Sequence, residues 1–237
     1  VETTGLDHMK DAITQISIQI ILREYNNDTK CYDYHLLDTF TSFVHTTKRI
    51  SSFITQLTGI TQDDVSQAPS FSKIAHSVQN KLTTFYETHN IQHFFWVAHN
   101  GFRFDHLFLA KYIQEHTPTD TFWLRSCVGK QRFWCIDTCE MARRFPYTEI
   151  AQDSTKPKNY KLQTLYLYFK NIDSNAHDTQ STPLQFHRAD EDVSAMVYLL
   201  QTMDTYHPDI LMSVVSYDTY FHDAVCPHKM VNKINFN

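Results

Sequence analysis

The first third of the chain changes from a strand-like to a helix-like pattern of apolar residues. Between residues 16 and 22, isoleucine and leucine alternate with other side chains, which is the period of a half-buried strand. Residues 31–44 are aromatic and β-branched, and the polar stretch 26–28 has turn chemistry. This pattern predicts an antiparallel hairpin near the start of the chain.

A three-to-four-residue apolar spacing predicts helices further along. The first ends at Gly59, where a helix C-terminus favours a left-handed residue. The helical patterns cover residues 50–57, 70–85, 162–169, 195–203 and 210–215.

The most informative stretch runs from residue 94 to residue 112. Residues 94–98 are a short apolar run typical of a buried strand, and a polar turn, 99–101, follows. Apolar residues then recur at helical spacing, so a helix is predicted to begin near Asp105. A second strand is predicted at 132–136, before Asp137 and a short helix. Strands alternating with helices indicate an α/β fold, whose sites lie at the carboxyl edge of the sheet.

Composition and charge restrict the number of domains, the cellular compartment and the partners that we expect. The 237 residues can form one sizeable core, and we expect one domain over 1–205, with 206–237 as a C-terminal helix and tail on the same domain. The net charge of −5 argues against broad electrostatic capture of nucleic acid. Five cysteines without paired spacing predict free thiols and an intracellular (cytoplasmic or nuclear) protein. No apolar run suits a membrane span, so no membrane partner is expected.

Three acidic residues stand at the ends of predicted elements. Glu2 follows a strand-like start, Asp105 opens a helix, and Asp192 lies near the start of another helix, five residues after His187. Oxygen ligands suit hard cations such as Mg²⁺ or Mn²⁺. Two such ions can promote phosphodiester hydrolysis, and a nearby histidine can accept a proton from water.

At these residues the chain resembles the DEDDh branch of the DnaQ-like 3′–5′ exonucleases, and within it the small TREX-like members. The first family motif, Asp-x-Glu-Thr-Thr-Gly, is matched over Val1–Gly5 except for its leading Asp. The second is matched over His99–Asp105, and the third, His-x4-Asp, by His187 and Asp192. Leu57–Thr61 resembles the family's Thr-Gly-Ile segment. We therefore expect the leading Asp and its strand just upstream of Val1.

The resemblance implies a ribonuclease H-like α/β fold, with a mixed sheet of about five strands and helices on both faces. It implies two-metal hydrolysis of the 3′-terminal phosphodiester of DNA, on single-stranded or frayed ends, releasing nucleoside 5′-monophosphates. By position, Glu2, Asp105 and Asp192 would bind two Mg²⁺ or Mn²⁺ ions together with the leading Asp expected upstream, and His187 would be the general base. The residues that would contact the terminal nucleotide are Thr3, Thr4, Leu6, Ile60 and Asn100.

Other interpretations stay open at this point. The same chemistry could act on RNA, because these motifs do not determine sugar recognition. The missing first Asp could instead mark a nuclease-dead module that only binds nucleic acid or another partner. Asp137 is predicted to be structural rather than a ligand, and Asp190 and Glu191 to be helix N-terminal charges. A homodimer is one option for the assembly.

Overall fold

The structure is a computed structural model of the 237-residue chain. It describes residues 1–89, 91, 94–116, 133–150, 156–173, 186–208, 210–213 and 216–217.

The predicted hairpin is confirmed and forms the first sheet. Strand β1 (Glu2–Thr3) pairs antiparallel with β2 (Ile13–Asn26), which pairs antiparallel with β3 (Cys31–Phe43). The Oδ1 atom of Asn26 accepts hydrogen bonds from the backbone nitrogens of Asp28 and Thr29, at 2.9 and 3.2 Å. The asparagine side chain therefore closes the turn between β2 and β3.

The second sheet contains the parallel pair that the α/β prediction requires. Strand β4 (Phe94–Ala98) lies parallel to β5 (Phe133–Asp137), and β6 (Ser216–Tyr217) adds to β5 in the antiparallel direction. The described strands thus form two three-stranded groups, β1-β2-β3 and β4-β5-β6, with both parallel and antiparallel pairs. Strand β6 was not predicted, because two paired residues leave no periodic signal.

The predicted helices are present, and one further helix joins them. Helix α2 escaped prediction because it has five residues; Thr61 and Asp64 cap it reciprocally. Gly59 ends α1 with φ 77°, as its position predicted. Short 3₁₀ helices lie at Gly101–Arg103 and Tyr147–Glu149. The helices are α1 (Ser52–Thr58), α2 (Gln62–Ser66), α3 (Phe71–His89), α4 (Asp105–His116), α5 (Thr138–Arg144), α6 (Leu162–Asp173), α7 (Ala189–Tyr206) and α8 (Ile210–Ser213).

Two hydrophobic cores lie on opposite faces of the β4–β5 pair. Trp96 and Cys135 contribute to a core formed with β2, α3 and α4. The next residues along each strand, Val97 and Ile136, contribute to a second core formed with α5, α6, α7 and α8. Successive strand residues point to opposite faces, so the predicted arrangement of helices on both faces is confirmed. Because the first core also contains β2, it joins the two groups of strands.

The C-terminal part of the described chain packs on this body. Ile210 and Leu211 of α8 are buried in the second core. The predicted boundary at residue 205 stays a prediction, and residues 214, 215 and 218–237 lie outside the described residues. In the part of the chain that the structure describes, no helix is both long enough and apolar enough to cross a membrane.

A buried ion pair fastens α7 to the hairpin. Nε and Nη2 of Arg23 each donate to Asp204 at 2.9 Å, and the hydroxyl of Tyr34 donates to the same carboxylate at 2.7 Å. The Arg23 guanidinium also stacks 3.2 Å from the ring centroid of Tyr32. Asp204 is only 2% exposed, so its charge depends on these partners.

We predict that Arg23→Met lowers the free energy of unfolding by about 3–5 kcal/mol, because it leaves the Asp204 charge buried and uncompensated. The double variant Arg23→Met/Asp204→Leu should recover much of this loss. Chemical denaturation measures both. Lys10→Met, at the exposed Lys10–Asp7 pair, is the control and should change stability little. A loss in Arg23→Met no larger than in this control would contradict the role of the ion pair.

Candidate active site

The turn between β4 and α4 is held by a buried carboxylate. Oδ1 of Asp137, 2% exposed, accepts hydrogen bonds from the backbone nitrogens of Asn100 and Cys139 at 2.8 and 2.9 Å. Its Oδ2 accepts one from the nitrogen of Phe102 at 3.2 Å. Asp137 therefore caps α5 and fixes the turn at once. The predicted structural role of Asp137 is confirmed.

The same turn needs a glycine for steric reasons. A Cβ atom on Gly101 would lie 2.6 Å from Nε2 of His106 and 2.7 Å from Cβ of Ala98. The preceding residue, Asn100, has the left-handed conformation, φ 58° and ψ 27°, which asparagine tolerates better than most residues. This tight path leads the chain from β4 to Asp105.

His99 joins this turn to α5 and to the segment before α6. Its Nε2 lies 2.9 Å from the carbonyl oxygen of Tyr160, and its Nδ1 lies 2.9 Å from Oγ1 of Thr138. A carbonyl only accepts, so Nε2 carries the proton and Nδ1 accepts from the threonine hydroxyl. Burial lowers the pKa of His99, which favours this neutral form. The histidine of the second motif thus has a structural role that the sequence did not reveal.

Glu2, Asp105 and Asp192 lie within electrostatic reach of one another. Burial raises the pKa of Glu2 to about 7, and the negative charges of Asp192 and Asp105 add to this shift. Burial also raises the pKa of Asp192, and Asp105 contributes in the same direction. Three elements, β1, α4 and α7, therefore bring like charges together at one corner of the fold, called the acidic corner below.

The acidic corner favours positive charge. The backbone nitrogen of Val1 lies 2.6 Å from Oδ1 of Asp105. The side chains of the acidic corner present carboxylate oxygens, which are the ligands that hard divalent cations prefer. Among the described residues, however, no three His, Cys, Asp or Glu side chains converge closely enough to form a metal-binding group.

His187 stands beside the acidic corner. Its backbone nitrogen donates to Oδ1 of Asp192 at 3.3 Å, and its side chain is exposed. The residue has φ 73°, a left-handed conformation just before α7. Its role as general base stays a prediction, but the imidazole is accessible to water and close in the chain to Asp192.

Of the five predicted nucleotide contacts, Leu6 has the most open side chain, 85% exposed. Thr3 donates to the carbonyl oxygen of Gly5 at 2.6 Å, and Thr4 accepts from the nitrogen of Ala12 at 3.0 Å. Both hydroxyls therefore form hydrogen bonds that stabilise the loop that carries Leu6.

The other two predicted contacts differ in accessibility. Asn100 is exposed, whereas Ile60 is 3% exposed and packs with Ile50 and Val65. The predicted contact of Ile60 with the nucleotide stays a prediction.

Sequence reasoning missed Asp11, which organises the same loop. Its Oδ2 accepts from the nitrogen of Asp7 at 3.0 Å, and its Oδ1 accepts from the Thr4 hydroxyl at 3.2 Å. A Cβ atom on Gly5 would come within 2.4 Å of the same carboxylate. Nothing in the local pattern marks Asp11, because its partners are set by the fold of the loop.

We predict that Glu2→Gln stabilises the protein in EDTA at pH 8. The raised pKa means that the folded state holds a proton more tightly than the unfolded state, so this contribution is present below pH 4.5 and is lost as pH rises through about 7. Glutamine keeps the neutral form, and the gain at pH 8 should be about 1–3 kcal/mol, vanishing near pH 4.5. Thermal unfolding at both pH values measures the difference.

Asp63→Asn, at an exposed position of α2, is the matched control and should shift stability little at either pH. A Glu2→Gln variant that loses stability equally at pH 4.5 and pH 8 would show that its surroundings do not destabilise the ionised Glu2 carboxylate.

Comparison with known proteins identifies the family. The family model RNase_T, described as Exonuclease, matches residues 1–200. The chain is 30% identical over 195 residues to the DNA polymerase III PolC-type protein of Caldanaerobacter subterraneus subsp. tengcongensis. That match covers 82% of this chain but only 10% of the relative's length.

Solved exonuclease structures are similar to the chain at lower sequence identity. One is "Exonuclease X in complex with 5′ overhanging duplex DNA", with 18% identity, TM-score 0.43 and coverage of 87% of this chain and 89% of that one. Another is "3′-end specific recognition of histone mRNA stem-loop by 3′-exonuclease", with 14% identity, TM-score 0.46 and coverage of 81% and 82%. Membership rests on the family model: the chain belongs to the exonuclease family, which confirms the predicted DnaQ-like 3′–5′ exonuclease with a ribonuclease H-like α/β fold.

Proposed function

We propose that this exonuclease removes nucleotides from the 3′ end of DNA, acting on single-stranded or frayed ends and releasing nucleoside 5′-monophosphates. The observation that carries the proposal is the acidic corner, where the carboxylates of Glu2, Asp105 and Asp192 lie within electrostatic reach of one another beside the exposed His187. Carboxylates gathered in this way are typical of functional sites.

The proposed cofactor is a pair of Mg²⁺ or Mn²⁺ ions held by Glu2, Asp105 and Asp192. Nucleases of the DEDDh type use divalent metals, and the carboxylate donors here suit such hard cations. When bound, the ions supply positive charge for the attacking water and for the leaving oxygen of the phosphodiester. The carboxylates that would hold the ions lie at the first residues of β1 and α4 and in the first turn of α7.

His187 is the proposed general base. Its imidazole accepts a proton from the attacking water, whose oxygen forms a bond to the terminal phosphorus. The bond between phosphorus and the 3′ oxygen of the penultimate nucleotide then breaks, and solvent supplies a proton to that oxygen. The products are a nucleoside 5′-monophosphate and a strand with a new 3′ hydroxyl.

The terminal nucleotide is proposed to contact Leu6 and the exposed Asn100. The exposed side chain of Leu6 offers an apolar surface on which a base can pack. Thr3 and Thr4 contribute by shaping the loop, since their hydroxyls bond to Gly5 and Ala12. This division of roles gives the terminal base an apolar contact and leaves the phosphate near the acidic corner.

DNA is the proposed substrate because the 30%-identical relative is named as a DNA polymerase. The chain spans about a tenth of that relative, so the relative's polymerase activity is not transferred here. We further propose an intracellular setting, which the free thiols of Cys31, Cys135 and Cys139 support. The predicted homodimer stays a prediction, since the structure describes a single chain.

The purified full-length protein should shorten a 5′-labelled single-stranded DNA stepwise from its 3′ end in Mg²⁺, and EDTA should stop the reaction. A matched RNA and a DNA with a blocked 3′ end are the comparisons. Preference for RNA would overturn the proposed substrate but keep the chemistry. Absence of shortening with either strand, from a folded full-length protein, would contradict the proposal in favour of a binding module.

Asp105→Asn and His187→Asn should each lower the rate at least about 100-fold, but for different reasons. Asp105→Asn removes a metal-binding charge and should weaken Mn²⁺ binding in calorimetry. His187→Asn removes the base while keeping a residue that tolerates the left-handed backbone, so it should bind Mn²⁺ as the parent does.

Asp190→Asn, in the first turn of α7, and His76→Asn, on the exposed face of α3, are the matched controls. Both should keep the parental rate and the parental Mn²⁺ affinity. Parental activity in His187→Asn would refute the base assignment, and parental Mn²⁺ affinity in Asp105→Asn would refute the metal assignment.

A further inference from the structure

Helix α7, which carries Asp192 and follows His187, docks on β2 through polar side chains. Gln15, Gln19 and Arg23 are spaced by four residues, so they lie on one face of the strand. Their partners are the backbone nitrogen of Ala189, the hydroxyl of Ser194 and the carboxylate of Asp204. The contacts span about 26 Å along the strand and about 22 Å along the helix. The Gln19–Ser194 contact is exposed, whereas the Gln15–Ala189 contact is buried, so the two are expected to differ in how firmly they hold α7.

The first of these contacts lies at the N-terminus of α7. The first backbone N–H groups of a helix have no partner within the helix. Arg188, the residue before α7, makes no side-chain capping hydrogen bond. Instead, the nitrogen of Ala189 donates to Oε1 of Gln15 at 3.4 Å, and both residues are buried. A side chain of the sheet thus caps this helix.

Gln15 also lies opposite Glu2. The two residues are paired in the β1–β2 ladder, and directly opposed residues of an antiparallel pair have side chains on the same face. One glutamine is therefore the cross-strand neighbour of one residue of the acidic corner and the capping partner of the helix that carries another. His187 lies two residues before Ala189, and Asp192 lies three residues after it.

We infer that Gln15 is a positioning residue for the nuclease reaction. By holding Ala189, it sets His187 and Asp192 at a fixed place relative to Glu2. This inference rests on the proposed function, because it names the residue that aligns the proposed base and carboxylates. Gln15 touches neither substrate nor metal; it acts through the first turn of α7. An offset of about 1 Å between reacting groups lowers a rate by up to about 100-fold, so the effect of this alignment is measurable.

The test compares Gln15→Leu, which removes the acceptor, with Gln19→Leu on the same face of the same strand. Amide hydrogen exchange over 189–192 should become about 5-fold to 10-fold faster in Gln15→Leu and stay parental in Gln19→Leu. In the 3′-end assay, kcat should fall at least about 10-fold in Gln15→Leu with KM unchanged. Gln19→Leu should keep kcat.

Two further variants distinguish loss of the Gln15–Ala189 hydrogen bond from a general folding defect. Gln15→Asn keeps a polar side chain but shortens its reach by one methylene, so it should reproduce both effects. Gln15→Glu keeps an oxygen at the same reach and should retain the slow exchange; its kcat is not compared, because a carboxylate opposite Glu2 would add negative charge to the acidic corner.

Faster exchange with parental kcat would overturn the positioning role, and unchanged exchange in Gln15→Leu and Gln15→Asn would overturn the capping contact itself. An inactive parent chain would contradict the proposed function instead. The exchange rates would then still decide whether Gln15 holds the start of α7.

Discussion

Three carboxylates that repel one another are held at one corner of this fold, and the elements packed around them keep them close together. Glu2, Asp105 and Asp192 come from three different elements, and burial together with mutual charge raises the pKa values of Glu2 and Asp192. An arrangement of this kind is unfavourable for the protein alone. It becomes favourable when positive charge, such as that of a divalent cation, is present.

Apolar packing and polar contacts make different contributions to holding this corner. The two cores on either face of β4 and β5 set the layers of the fold. Packing alone allows small shifts of a helix along a sheet, whereas a buried hydrogen bond fixes one atom against another. Asp137 fixes the turn that leads to Asp105, and the Arg23–Asp204 ion pair fixes the far end of α7. The apolar cores therefore set the layers, and the polar contacts set the position of each element within them.

The sequence predicted the elements well where apolar periodicity was strong. The hairpin, the β4 strand and the helix starting at Asp105 follow from local patterns, and Gly59 ends its helix as expected. Helix α2 and strand β6 were missed because each is too short to show a period.

The site residues divide in the same way. The motifs identified Glu2, Asp105, His187 and Asp192, because the order and spacing of these residues are visible in the sequence. Asp11 and Gln15 could not be found that way. Their partners are up to 174 residues away in the chain or are backbone groups, and no local pattern records such contacts. The burial of Ile60 also could not be read from its place in a motif, and its contact with the nucleotide stays a prediction.

The most direct test of the acidic corner as the catalytic centre is to locate bound metal. Crystals of the chain soaked in Mn²⁺ and a nucleoside 5′-monophosphate would be measured at the manganese absorption edge. We predict anomalous density in contact with the carboxylates of Glu2, Asp105 and Asp192, with the phosphate beside it and the His187 imidazole facing the phosphate. Manganese bound elsewhere on the chain, with these three carboxylates free of metal, would contradict the proposed active site.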